Sequence, residues 1–316
     1  MKKYMIRIAV IWCVVLSCTV SAFALPRTLI PGGCTVGVKL YSGGLIVTGF
    51  EKGSAAREAG LEKGDVILQA DGLPVHTAAE LRACLKKEQV ILTLLRGEKK
   101  ADYCVKIQNG ELGIQVQDSV AGIGTVTYYD PNTGNFGALG HGVSQTDTDH
   151  LVPMEAGIVV KSQVVDAEKG EPGEPGELKG KFDVHAVLGE VSQNSDFGLF
   201  GVMSVPLPGK PVEVADRRQV ETGPAEIWSN VEGERVQAYS VEILKICPYA
   251  DHTGRNLLLR VTDPELLSQT GGIIQGMSGS PILQNGRIVG AVTHVLVNDP
   301  TRGYGIFIEN MLNAAG

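Results

Sequence analysis

The chain is 316 residues long, with 43% hydrophobic and 20% charged residues. That is an ordinary composition for a soluble globular protein, at a length that predicts two domains. Its net charge is −7, and residues 1–24 hold Lys2, Lys3 and Arg7 without an acid, so the remainder is more acidic still. Such a surface repels phosphate and has no basic stripe to overcome the repulsion, which argues against nucleic acid as a partner. Forty glycines and only 5% aromatic residues predict many tight turns, as in β-rich folds.

The N-terminus has a basic start, an apolar run from Ile8 to Val20, and then Ala22-Phe23-Ala24. This is the order of a secretory signal, with cleavage expected after Ala24. The other reading is a membrane anchor retained through residues 6–24. Cys13 and Cys18 fall inside this segment. Cys34, Cys84, Cys104 and Cys247 remain, without a CxxC pair or metal-ligand spacing, so no metal is expected. Export permits disulfides among them, and burial as apolar residues is equally open.

Residues 34–108 read as a first folded unit. Leu45-Ile46-Val47 is a short strand, and Gly53-Ser54-Ala55-Ala56 opens a small helix that stops at Gly60. Gly64-Asp65-Val66-Ile67-Leu68 is a turn feeding a strand, and Asp71-Gly72 marks the next turn. Thr77 with Glu80 forms a capping-box pattern before Leu81, Cys84 and Leu85 at helical spacing. Val90–Leu94 and Tyr103–Ile107 are strands around the Arg96-Gly97 turn. This order, with GSAAREAGLEKGDVILQADG at its centre, resembles a PDZ domain. The resemblance implies binding of an extended peptide as an added strand, its terminal carboxylate held by a loop of backbone N–H groups. Gly37-Val38-Lys39-Leu40 matches the place of that loop, with Lys39 departing from the family pattern.

Residues 111–316 read as short strands between glycine turns, a pattern that favours a sandwich or barrel. Gly113–Val116, Gly124–Tyr128, Val184–Leu188, Val241–Ile246 and Asn256–Val261 are all predicted strands. Gly170-Glu171-Pro172-Gly173-Glu174-Pro175-Gly176 suits neither helix nor central strand and is expected as an exposed acidic loop.

The chemistry concentrates in Gly276-Met277-Ser278-Gly279-Ser280-Pro281. A serine flanked by glycines in a tight turn exposes its Oγ, and the N–H groups of Ser278 and Gly276 are placed to share an oxyanion. The segment resembles the Gly-Asp-Ser-Gly-Gly-Pro turn of chymotrypsin-type peptidases. Met277 stands in place of the Asp, so activation by a buried amine paired with that acid is unavailable. Ser280 stands in place of a Gly and is the rival nucleophile. Of the histidines at 76, 141, 150, 185, 252 and 294, His141 has the glycine-flanked setting Gly140-His141-Gly142 expected of an accessible base. His294 falls on the apolar strand after the serine and reads as a pocket wall.

Together AGIGTVTYYDP, FGALGHGVSQTDT and TDPELLSQTGGIIQGMSGSPILQNGRIVGAVTHVLVNDPTRGYGIFIENML, preceded by the PDZ unit, resemble the SpoIVB peptidase family of spore-forming Firmicutes. The resemblance implies a mostly β protein, a PDZ domain followed by a chymotrypsin-like double β-barrel. It implies a triad of His141, Asp263 and Ser278, in which Asp263 would accept a bond from the imidazole. Asp263 also suits a helix cap before Pro264, and Asp147 and Asp149 are alternatives. The resemblance further implies a protein exported from the forespore into the intermembrane space. There it cleaves itself and a membrane-bound regulator of an intramembrane metalloprotease that processes a sigma-factor precursor. No cofactor is expected for triad hydrolysis. The rival readings are an HtrA-like quality-control peptidase, in which PDZ usually follows the catalytic domain, and a non-catalytic PDZ adaptor.

Overall fold

The computed structural model describes residues 28–97, 99–145, 150–249 and 254–316; the predicted export segment lies outside them. Strand β1 (Thr28–Pro31) leads into β2 (Thr35–Phe50). Helix α1 (Ala55–Glu58), β3 (Val66–Ala70), β4 (Leu73–Pro74), α2 (Ala78–Cys84), β5 (Gln89–Arg96) and β6 (Lys99–Lys106) follow. Thr77 caps α2 through the expected box, its hydroxyl accepting from Glu80 N–H while the Glu80 carboxylate accepts from Thr77 N–H. Leu45, Val47, Leu61, Ile67, Leu81, Leu92 and Leu112 form the core of this PDZ unit. The buried Asp65 accepts from Arg96 Nε at 2.6 Å and Nη2 at 2.7 Å, tying the Gly64-Asp65 turn to the end of β5.

Next come β7 (Ile114–Tyr129), β8 (Asn135–Ala138), β9 (Ala156–Glu168), β10 (Glu177–Ser195) and β11 (Gly198–Met203). They run in the order β7-β8-β11-β10-β9-β2, and pairing of β2 with β7 closes the ring into a first six-stranded barrel. The acidic segment at 170–176 lies in the turn of the β9–β10 hairpin. The two-residue β12 (Val212–Glu213) pairs with β1.

A second closed barrel contains β13 (Gly223–Ser229), β14 (Gln237–Ile246), β15 (Leu257–Val261), β16 (Pro281–Gln284), β17 (Arg287–Leu296) and β18 (Asp299–Phe307). Helix α3 (Pro264–Thr270) follows β15, and α4 (Ile308–Ala315) ends the chain. Period-2 alternation buries Tyr239, Val241 and Ile243 of β14 inside the barrel. The mostly β double-barrel expectation is met. Between the barrels, buried Asn230 accepts from Thr35 N–H at 2.7 Å and donates to Thr35 Oγ1 and Gly233 O.

The division between units is drawn differently from the expected boundaries of 34–108 and 111–316. Val36, Val38 and Leu40 pack in the first-barrel core, whereas Leu45 and Val47, on the same strand, pack in the PDZ core. β7 is shared in the same way: residues 114–117 pair with 46–50, and 119–125 pair with 35–41. The PDZ unit therefore grows out of the barrel on two continuous strands.

This sharing overturns the placement of a carboxylate loop at Gly37-Val38-Lys39-Leu40. All four residues lie in β2 with β7 on one side and β9 on the other. A central strand uses its N–H groups in the ladder, so none is left for a peptide.

Among the described residues no helix is long and apolar enough to cross a membrane. Cys34, Cys84, Cys104 and Cys247 are all free. Burial pushes the Cys34 thiol up to about 11, which leaves it protonated and inert.

Candidate active site

Ser278 stands in the turn between α3 and β16. Gly276 and Gly279 adopt φ of +94° and +97°, which a side chain would strain. At Gly279 a Cβ would also lie 2.0 Å from Thr125 O and 2.5 Å from Leu139 N. The turn is docked that closely because Thr125 holds it at two points. Its N–H donates to Ser278 O at 3.0 Å and its hydroxyl donates to Gly276 O at 2.8 Å. Thr125 O in turn accepts from Leu139 N–H at 3.1 Å. One buried threonine of the first barrel thus joins the serine turn to the segment that carries the histidine.

The two candidate serines separate cleanly. Ser280 is fully buried, and its hydroxyl has no partner. Ser278 lines a cleft of about 350 Å³ together with His141. Met277 is buried in the second-barrel core, and its N–H is spent on Ile274 O. Among the described residues the N–H groups of Gly276 and Ser278 have no acceptor, so both are available to an oxyanion.

His141 follows β8 through Leu139 and Gly140, whose φ values are +69° and +70°. Leu139 is the exceptional one, since left-handed backbone is unfavourable for a branched side chain. Asn194 steadies the far side of the loop: its Oδ1 accepts from Val143 N–H, and its Nδ2 donates to Val143 O and Val152 O. His141 Nδ1 lies 2.8 Å from Gly142 O. A carbonyl only accepts, so Nδ1 carries the proton and the Nε2 lone pair is left as the base. Desolvation holds the His141 pKa below the usual histidine value, opposed by the bond to Gly142. The imidazole is therefore neutral at neutral pH.

His294, expected as a pocket wall, packs against His141 with ring centroids 5.2 Å apart but does not line the cleft itself. Burial first, then the charges of His141 and Arg255, bring its pKa down to about 4. Its Nδ1 is buried without a partner. Ser278 Oγ donates to Thr293 O at 2.7 Å, so the hydroxyl is held on a backbone carbonyl and not on His141. Hydrogen bonds between nucleophile and base are often open without substrate, and a χ1 rotation redirects the hydroxyl.

Asp263 does not join this group. It is the N-cap of α3: Oδ1 accepts from Glu265 N–H and Leu266 N–H, and Oδ2 accepts from Ser240 N–H. With both oxygens committed to backbone on the second barrel, and Gly142 O occupying His141 Nδ1, the expected Asp–His bond is absent. Among the described residues no carboxylate is bonded to His141; Asp147 and Asp149 lie outside them. Nor do the described residues hold a cluster able to ligate a metal.

A second groove lies on the PDZ unit, about 200 Å³, between α2 and the start of β7. Leu81, Leu85, Ile114 and Val116 give it an apolar floor, and Arg82 is its cation. At its head, Leu112 and Gly113 N–H groups have no acceptor among the described residues. Two adjacent free amides at a left-handed glycine (Gly113, φ +68°) leave a concave pair of donors. Gly37–Leu40, expected in the carboxylate-binding role, offers no such free pair. The tripeptide Leu112-Gly113-Ile114 carries the apolar-Gly-apolar signal, but it lies beyond the span 34–108 expected for the domain.

Two six-stranded barrels, with the Ser278 turn on one and a glycine-framed histidine loop on the other, are the frame of a serine peptidase. The model of the SpoIVB peptidase S55 family matches residues 108–312, and that of a PDZ domain matches residues 46–96. The chain belongs to the SpoIVB peptidase S55 family. No curated protein matches the chain. Among solved structures, Rv3671c from M. tuberculosis H37Rv, in an inactive serine-to-alanine form, aligns at 15% identity and a TM-score of 0.32. The alignment covers 61% of this chain and 82% of that one.

Proposed function

We propose that this serine peptidase is an exported sporulation endopeptidase. It cleaves its own chain and then a membrane-associated regulator, freeing an intramembrane metalloprotease to process a sigma-factor precursor. The space between the forespore membranes is its place of action, and the segment at residues 6–24 directs or tethers it there. The family supports this biology, and the observation that carries the chemistry is the cleft in which Ser278 and His141 meet two unengaged N–H groups.

In that chemistry the Ser278 hydroxyl leaves Thr293 O and gives its proton to His141 Nε2 as Oγ bonds to the substrate carbonyl. Gly276 and Ser278 N–H groups receive the oxyanion. The imidazolium then protonates the leaving amine, and a water repeats the sequence on the acyl-enzyme. Gly142 O keeps the imidazole in the correct tautomer, the orienting part of the role usually given to an aspartate. The groove on the PDZ unit selects the protein to be cut.

The test is intact-mass and fragment analysis of purified full-length chain beside its Ser278→Ala variant. Self-cleavage products should form in the first and be absent from the second; identical fragment patterns would defeat the reading. A non-catalytic adaptor is disfavoured by the same cleft, which such a protein has no reason to keep.

A further inference from the structure

Resting on the peptidase reading, we infer that the substrate lies as one added strand along the open edge of β7, joining the PDZ groove to Ser278. Cleavage is then measured from the substrate's C-terminal end. The bonds that β7 makes on its β2 side fix which of its backbone groups face outward. Val126 exchanges hydrogen bonds with Gly33 and Cys34, on the β2 side. Thr125 therefore faces the other way, as its bonds to Ser278 O and from Leu139 N–H show. The register from Thr35↔Thr125 to Tyr41↔Ser119 is unbroken, so Ile123, Ala121 and Ser119 also face outward.

Past the irregularity between Tyr41 and Ile46, the phase is fixed again at Val47. Its N–H donates to Asp65 O and its carbonyl accepts from Gly64 N–H, so it turns toward β3. Val47 pairs with Val116, whose own N–H and C=O consequently face away from β2 and into the groove. Among the described residues no strand pairs with residues 114–124 on this outward side.

The open edge changes phase at a bulge between Val116 and Ser119, and it has a carboxylate nest at one end and a nucleophile at the other. Val116 lines the groove, Ala121 and Ile123 line the catalytic cleft, and all three belong to one strand. A row of unpaired N–H and C=O groups is a template for an extended chain. Val116 to Ile123 spans about 24 Å at roughly 3.4 Å per residue. A peptide whose carboxylate sits at Leu112 and Gly113 must run antiparallel to β7. Its chain then reaches Ser278 about ten residues before its end. The occupant is a polypeptide with a free carboxyl terminus and an apolar last residue, matched to Leu81, Leu85 and Ile114.

The experiment treats full-length protein with a randomised library of twenty-residue peptides ending in Val with a free carboxylate, and with the same library amidated. Cut positions are read by mass spectrometry. The free-carboxylate library should be cut in a narrow band about ten residues from the end, and the amidated library at least tenfold more slowly without the band. Cuts spread evenly relative to the end, or placed by flanking sequence alone in both libraries, would overturn the inference. A second readout does not need turnover: amide exchange in Ser278→Ala with five- and twelve-residue Val-terminated peptides. Both should slow Val116, and only the longer should slow Ser119, Ala121 and Ile123; equal footprints would also overturn it. Failure of the peptidase reading is recorded separately, as no cutting by wild type with the amide footprints intact.

Discussion

At the scale of single residues, Ser278 and Ser280 differ in burial rather than in chemistry. Ser278→Ala should remove about 10⁶ in kcat, the usual cost of losing such a nucleophile. Ser280→Ala should leave turnover near wild type, since that hydroxyl is buried away from the cleft. Rate measurements on both variants check the pair. His141 gives a pH dependence of definite sign. Its folded pKa is lowered by burial, so activity should rise with pH through a midpoint below the unperturbed value of about 6.5. A midpoint above that value in a kcat/KM profile would contradict the desolvated setting. Stability follows the same sign. With His141 and His294 both lowered when folded, the unfolded chain binds more protons below about pH 6.5, and stability is lost as pH falls through that window. The share from His294 is lost by about pH 4.

Asp263 shows what residue-level reading catches and what it misses. The sequence pattern before Pro264 fits a cap, and the family resemblance fits a triad acid; the fold satisfies the first. Asp263→Asn should retain most activity, because an amide oxygen still caps α3 through Glu265 and Leu266 N–H, at the loss only of the bond from Ser240 N–H. A triad acid replaced in this way loses about 10⁴ in kcat. Steady-state kinetics therefore separates the two roles without ambiguity.

At the scale of elements, the legible parts were those set by local chemistry. The capping box at Thr77 and Glu80, the Gly276–Gly279 turn and the alternating strands of the second barrel follow from short-range sterics and periodicity. The expected carboxylate loop fails at Gly37-Val38-Lys39-Leu40, which in isolation looks like Leu112-Gly113-Ile114. Only strand pairing, a long-range property, buries the first and frees the second. The roles of Thr125 and Asn194 were illegible for the same reason: each acts across the fold, on partners 151 and 51 residues away. Gly279→Ala should test the docking of the serine turn. Its Cβ meets backbone at 2.0 Å, a contact no side-chain motion relieves, so Tm and activity should fall together. A well-folded and active variant would show that the turn is held less closely to β7.

At the scale of the whole molecule, two barrels contribute one half-site each, and a shared strand carries the PDZ unit to their junction. The histidine loop belongs to the first barrel and the serine turn to the second, joined through Thr125. A small phosphonate needs the nucleophile, the base and the oxyanion donors, but no docked strand. Reaction of the folded full-length protein with a serine-directed phosphonate, followed by peptide mapping, therefore tests the assembled site most directly. One adduct, on Ser278, should form in the wild type and be lost or slowed at least a thousandfold in His141→Ala. An adduct on Ser280, or undiminished labelling of Ser278 without His141, would contradict this site.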